Sequence, residues 1–116
     1  MTYKLFIDDE RNPGDVTWMA TTDYSGDLWI VARSMDAAKS VIEQFGMPKH
    51  ISFDHDLGDD QPTGYEIAKW IAETVMDGNY SLPVDFTFSV HSKNPVGAKN
   101  ITMYMHNFIK HMQSTV

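Results

Sequence analysis

Three clusters of residues that bind metal ions or move protons each stand at the end of an apolar run. They are Leu5-Phe6-Ile7-Asp8-Asp9-Glu10, Ile51-Ser52-Phe53-Asp54-His55-Asp56 and Phe86-Thr87-Phe88-Ser89-Val90-His91-Ser92. Carboxylate oxygens are the hard ligands that Mg²⁺ and Mn²⁺ prefer, with water completing an octahedron. Several carboxylates crowded together raise one another's pKa values unless a cation relieves the repulsion. Asp8, Asp9, Asp54 and Asp56 are therefore the expected metal residues. Asp8 and Asp9 are adjacent, so their side chains diverge on a strand and converge only if the chain bends after it. His91 and His55 are the expected acid–base groups, because imidazole titrates near neutral pH. His50, His106 and His111 read as surface or packing residues.

A second kind of chemistry follows directly. His91-Ser92-Lys93-Asn94-Pro95-Val96-Gly97-Ala98-Lys99-Asn100 combines a hydroxyl, two lysines and amides with the start of a helix. The free N–H groups of a helix N-terminus attract anions. Ser92, Asn94, Gly97 and Asn100 are the expected phosphate-binding residues. Gly97 lies inside the first helical turn, where capping does not call for it, and a close approach of backbone to ligand would.

These residues meet only if particular elements bring them together. Tyr3 to Asp8 reads as a first strand and Asn12-Pro13-Gly14-Asp15 as a turn. Val16 to Tyr24 is a loop or a short strand, and Leu28 to Ala32 a second strand. Ser34 caps a helix from Met35 to Phe45, with Ala38, Val41, Ile42 and Phe45 on one face and Gly46 and Pro48 ending it. Ile51 to Asp54 is a third strand. Thr63 and Glu66 form a capping box that opens a helix burying Ile67, Ile71 and Val75 and stopping at Gly78. Val84 to Val90 is a fourth strand. Asn94 and Pro95 suit the N-cap and first positions of a helix carrying Ile101, Met105, Phe108, Ile109 and Met112 on one face. Trp18, Trp29 and Trp70 read as core residues, with base stacking as a second role for Trp18. Alternating strands and helices give an α/β fold with a mostly parallel sheet covered on both sides. The carboxyl ends of such strands share one edge, where ligands bind at the topological switch point.

Composition sets bounds. The chain has 116 residues, 42% of them hydrophobic, which fits one domain, residues 1–116, with a core of its own. Nine basic against sixteen acidic residues give a net charge of -7. That surface repels a polyphosphate backbone, so long duplex nucleic acid is not an expected partner. The absence of cysteine excludes disulfides, thiolate zinc sites and cysteine nucleophiles. Met1 to Ile7 reach the first aspartates too soon for a signal-peptide core, and no run approaches the ~20 apolar residues needed to span a bilayer. A cytoplasmic, membrane-free protein is the expectation.

The first cluster resembles the first strand and acidic pair of response-regulator receiver domains. Asp54-His55-Asp56-Leu57 is similar to their phosphoacceptor strand end, Gly64 to the glycine opening the next helix, and Ser92 to their hydroxyl after the fourth strand. On that mapping Asp54 is the phosphoacceptor equivalent, while a strict count to Gly64 favours Asp56. The whole chain more closely resembles the receiver-like group that processes cyclic phosphates. The matching residues are 5–13, 51–58, Thr63-Gly64-Tyr65, Val90-His91-Ser92, Asn94-Pro95-Val96-Gly97 and Asn100. The resemblance implies a flavodoxin-like three-layer sandwich. It departs from ordinary receivers in having no evident fifth strand, and so no lysine at the end of one.

The expected function is a metal-dependent phosphoesterase acting on a cyclic phosphate of a nucleotide or of an RNA end. Asp8, Asp9, Asp54 and Asp56 would hold Mg²⁺ or Mn²⁺. His91, with His55 as partner, would donate a proton or position the nucleophile, and Asp54 could instead attack directly. A module that binds a small cyclic nucleotide without turnover is the alternative, and a degenerate receiver acting through protein contacts is another.

Overall fold

The computed structural model describes residues 2–19, 22–26 and 28–114. Its strands are β1 (Lys4–Ile7), β2 (Trp29–Ala32), β3 (His50–Phe53) and β4 (Thr87–Val90). Its helices are α1 (Met35–Phe45), α2 (Gly64–Met76) and α3 (Pro95–Ser114). All pairings are parallel, in the order β2-β1-β3-β4. The order reverses between β1 and β3, so the switch point falls at their carboxyl ends. No fifth strand occurs among the described residues.

Side-chain alternation divides the sheet into two unlike faces. Leu5, Ile7, Ala32, Ile51 and Phe53 face the main core, where Ala38 and Ile42 of α1, Ile67 and Ile71 of α2, and Ile101 and Met105 of α3 meet them. Each fully buried Ile or Leu contributes about 1.5–3 kcal/mol, so this face anchors all three helices. The opposite face holds a smaller cluster of Phe6, Val16 and Tyr24 with Met19, Trp29 and Val31. Its cover is the β1–β2 connection rather than a helix. The described residues of the segment read as loop or short strand are irregular, with a 3-10 turn at Pro13–Asp15 just before them. Ala20 and Thr21 lie outside the described residues.

The helix starts form as their side chains dictate. Ser34 Oγ accepts from Ala37 N at 3.1 Å, Thr63 Oγ1 from Glu66 N at 3.4 Å, and Asn94 Oδ1 from Gly97 N at 3.0 Å. β4 begins three residues later than Val84, because Phe86 N bonds back to Pro83 O and leaves Val84 exposed in a turn. Trp18 is 37% exposed and so is not a core residue. No helix among the described residues is long and apolar enough to cross a membrane.

Candidate active site

The register of the sheet builds the site. Ile7 pairs with Phe53 and Phe53 with Val90, so the next residues, Asp8, Asp54 and His91, form a row across β1, β3 and β4. The ladder runs on through them, with Asp54 N bonding Ile7 O and His91 N bonding Phe53 O, both at 2.9 Å. All three are buried.

Asp8 is held at both oxygens. Its Oδ1 accepts from the N–H groups of Glu10 and Arg11, both at 2.8 Å, and its Oδ2 lies 3.0 Å from His91 Nε2. Burial opposes its ionisation, but these donors outweigh it and hold the carboxyl below its ordinary pKa. A carboxylate only accepts, so Nε2 carries the imidazole proton. Burial keeps His91 below the usual histidine pKa, more strongly than Asp8 raises it. In the neutral form that this lowering favours, Nδ1 accepts from Ser52 Oγ at 2.7 Å. Its ring stacks on Phe6 at 4.5 Å.

Asp54 is the uncompensated group. Burial first, and then the charge of Asp8, push its carboxyl up to about 6, against the His55 N–H and the Ser92 hydroxyl. Gly64 fixes the Asp54 backbone: a β-carbon there would stand 1.8 Å from the Asp54 carbonyl oxygen. The glycine therefore lets α2 close on the end of β3, and Gly64 N bonds His55 O at 2.8 Å.

These residues open on a cleft of about 770 Å³, lined by Asp8, Asp9, Glu10, Arg11, Asp54, Asp56, Gly58, Asp59, Ser92, Lys93, Asn94 and Pro95. The chain bends after β1, as the diverging aspartates require, and Arg33 holds the bend by donating to the carbonyls of Asp8 and Arg11 and to Asn12 Oδ1. Ser92 Oγ also accepts from Asn94 N at 3.1 Å. Asp56 takes His55 Nδ1 at 3.0 Å and Asn94 Nδ2 at 3.2 Å, which in that order hold its carboxyl below the ordinary value.

Four expected site residues do not line the cleft; one of them, His55, still bonds Asp56, which does. Asn100 is exposed on α3 and is not among the residues lining the cleft. Gly97 is needed for a neighbouring side chain: its β-carbon would lie 2.4 Å from the His55 ring. His91, with no exposure, sits behind Asp8 and does not line the cleft.

Two cations at the rim, Arg11 and Lys93, were not among the expected site residues. Lys93 Nζ lies 4.2 Å from the centre of the Trp18 ring and the Arg11 guanidinium 5.1 Å. The indole is itself anchored by Nε1–H donation to His91 O at 3.0 Å. Arg11 also lies 3.6 Å from Asp8 Oδ2. Their signal was present in sequence, since Arg11 and Lys93 directly follow the acidic and histidine clusters.

Asp8, Asp54 and His91 each offer a donor atom within 4.8 Å of the others, so the cluster could hold a metal ion. Both nitrogens of His91 are engaged, which leaves oxygen donors facing the cleft. Burial and then Asp8 raise Asp54, and a cation held by these carboxylates would offset the second of these, so the residues fit the ion.

A parallel sheet ordered 2-1-3-4 with an acidic row at its switch point is that of a receiver-like α/β domain. Residues 3–107 match the model of the cyclic-phosphate processing receiver domain. The chain belongs to that family. No curated protein and no solved structure gives a significant match.

Proposed function

We propose that the protein is a metal-dependent phosphoesterase that opens a cyclic phosphate on a nucleotide or an RNA end. The observation that carries this reading is Asp54, a buried carboxyl beside ionised Asp8 in a cleft that also presents phosphate-binding groups. Asp8, Asp9 and Asp54, with Asp56 at the margin, would hold Mg²⁺ or Mn²⁺. When bound, the ion supplies charge neutralisation and a water of lowered pKa. Arg11, Lys93, Ser92 and Asn94 grip the phosphoryl oxygens, and the two cations stand in for the lysine that a fifth strand would carry. Hydrolysis adds water to phosphorus, breaks one ring P–O bond and delivers a proton to the departing oxygen. His55, whose partners Asp56 and Asn94 line the cleft, is the imidazole suited to deliver it. His91 serves by orienting Asp8. The ligand is a small phosphate or nucleotide, and the protein works in the cytoplasm.

One observation favours binding without turnover: among the described residues no imidazole lines the cleft itself. Incubation with cyclic mononucleotides, cyclic dinucleotides and RNA ending in a 2′,3′-cyclic phosphate, with and without Mg²⁺ or Mn²⁺, separates the two. Linear products that appear only with metal support the esterase. Tight binding with intact ligand recovered overturns it.

A further inference from the structure

Behind Asp8 the helix-free face of the sheet carries an unbroken line of polar side chains. Ser52 Oγ meets His91 Nδ1 and Tyr24 OH, each at 2.7 Å, and accepts from Ser89 Oγ at 3.2 Å. Ser89 Oγ lies 3.2 Å from Tyr24 OH and 2.9 Å from His50 Nε2, and His50 Nδ1 reaches Thr87 Oγ1 at 2.7 Å. Ser52 is fully buried, and polar groups in such a layer are costly unless every one is paired. A hydrophobic residue there would avoid that cost.

The line has a directional consequence. Stacking on Phe6 fixes the plane of the His91 ring but not which edge meets Asp8, because a half-turn of the ring exchanges nitrogens for carbons. Ser52 distinguishes the two edges. With Ser89 donating to Ser52 and Nε2–H facing Asp8 Oδ2 at 3.0 Å, the Ser52 proton is directed at Nδ1 and marks that edge of the ring.

We propose that Ser52, Tyr24, Ser89 and His50 are positioning residues that set the His91 ring, and through it hold Asp8 in the rotamer that meets the metal ion. This rests on the metal reading of the cleft and not on what the cleft hydrolyses. Outer partners of this kind change metal affinity by roughly 10–100-fold.

The test needs no phosphate compound. Imidazole ¹⁵N NMR of the metal-free protein reads the His91 ring, and Mn²⁺ affinity is read by electron paramagnetic resonance. Ser52→Ala is expected to shift the His91 Nδ1 resonance and to raise the Mn²⁺ Kd roughly tenfold. Tyr24→Phe should do less, because Ser89 still donates to Ser52. If Ser52→Ala does not fold, Ser89→Ala, which touches neither His91 nor Asp8, serves with the same two readouts. Folded variants with unchanged His91 resonances and unchanged Mn²⁺ affinity would overturn the proposal, as would lowered Tm with the His91 resonances unmoved. A wild type that binds no Mn²⁺ would overturn the ion's part, and the resonances alone would then decide whether the line sets the ring. Failure to hydrolyse any cyclic phosphate would count against the esterase and leave this result standing.

Discussion

Gly97 lies flat against the imidazole of His55, so close that a β-carbon would stand 2.4 Å from Cγ and 2.6 Å from Cδ2. The first turn of α3 thereby packs on the loop after β3, and Asn94 reaches Asp56. Gly97→Ala is expected to cost about 1–3 kcal/mol, as overpacking does, and to loosen the Asn94–Asp56 contact. Gly64→Ala should cost more, because the obstructing atom is the Asp54 backbone, which cannot swing away. Urea denaturation of the two variants checks the order.

The pH dependence of Asp54 has a definite sign. Its folded pKa, about 6, lies above the ordinary carboxylate value of 3.8. Its contribution to stability is therefore fully present below pH ~4 and is lost as pH rises towards 6 and beyond. Asp54→Asn is expected to stabilise the metal-free protein at pH 7.5 by about 1–3 kcal/mol and to change little at pH 4. Mg²⁺ should stabilise the wild type at pH 7.5, more weakly below pH 6, and Asp54→Asn should largely lose the effect. Thermal unfolding with Mg²⁺ and with EDTA at both pH values tests all three statements.

His50 acts in the opposite direction. Burial first, then Lys4 and Lys49, lower its pKa from 6.5 to about 4. The unfolded chain therefore binds the proton more readily between those values, and stability is lost as pH falls from 6.5 towards 4. His50→Gln is expected to reduce that acid sensitivity. Comparing wild-type and variant denaturation midpoints across the window isolates the contribution, since Asp54 is common to both.

Much of the site could be read from residue types, because strand ends and acidic residues are local signals. Asp8, Asp9, Asp54, Asp56, Ser92 and Asn94 all come to the cleft. Three things needed the folded chain. That Asp8, Asp54 and His91 form one row depends on strand register, which no single segment encodes. The line through Tyr24, Ser52, Ser89 and His50 shows in sequence only as the alternation of His50 with Ser52 and of Thr87, Ser89 and His91; that these polar positions meet, 37 residues apart in the Ser52–Ser89 pair, depends on strand register. The anomaly of Gly97 was visible, but the His55 ring that packs on it comes from another segment. The four strands and three helices were legible from apolar periodicity and caps. The β1–β2 connection was not, because a layer made of irregular chain has no period.

Trp18 gathers both cations that line the cleft among the described residues. Lys93→Ala and Arg11→Ala are each expected to weaken binding of a phosphate ligand roughly tenfold or more, as loss of a charge-assisted hydrogen bond does. Trp18→Leu should weaken it less, by releasing both cations without removing them. Raising ionic strength should narrow the difference between wild type and the charge variants. Calorimetric titration with inorganic phosphate in the presence of Mg²⁺ measures each value.

The most direct measurement is a ³¹P NMR time course of a nucleoside 2′,3′-cyclic phosphate with the protein and Mg²⁺. The cyclic resonance should decay into a phosphomonoester, stop on addition of EDTA, and persist with Asp54→Ala. A cyclic resonance that broadens on binding and never converts, with either metal, would contradict the account.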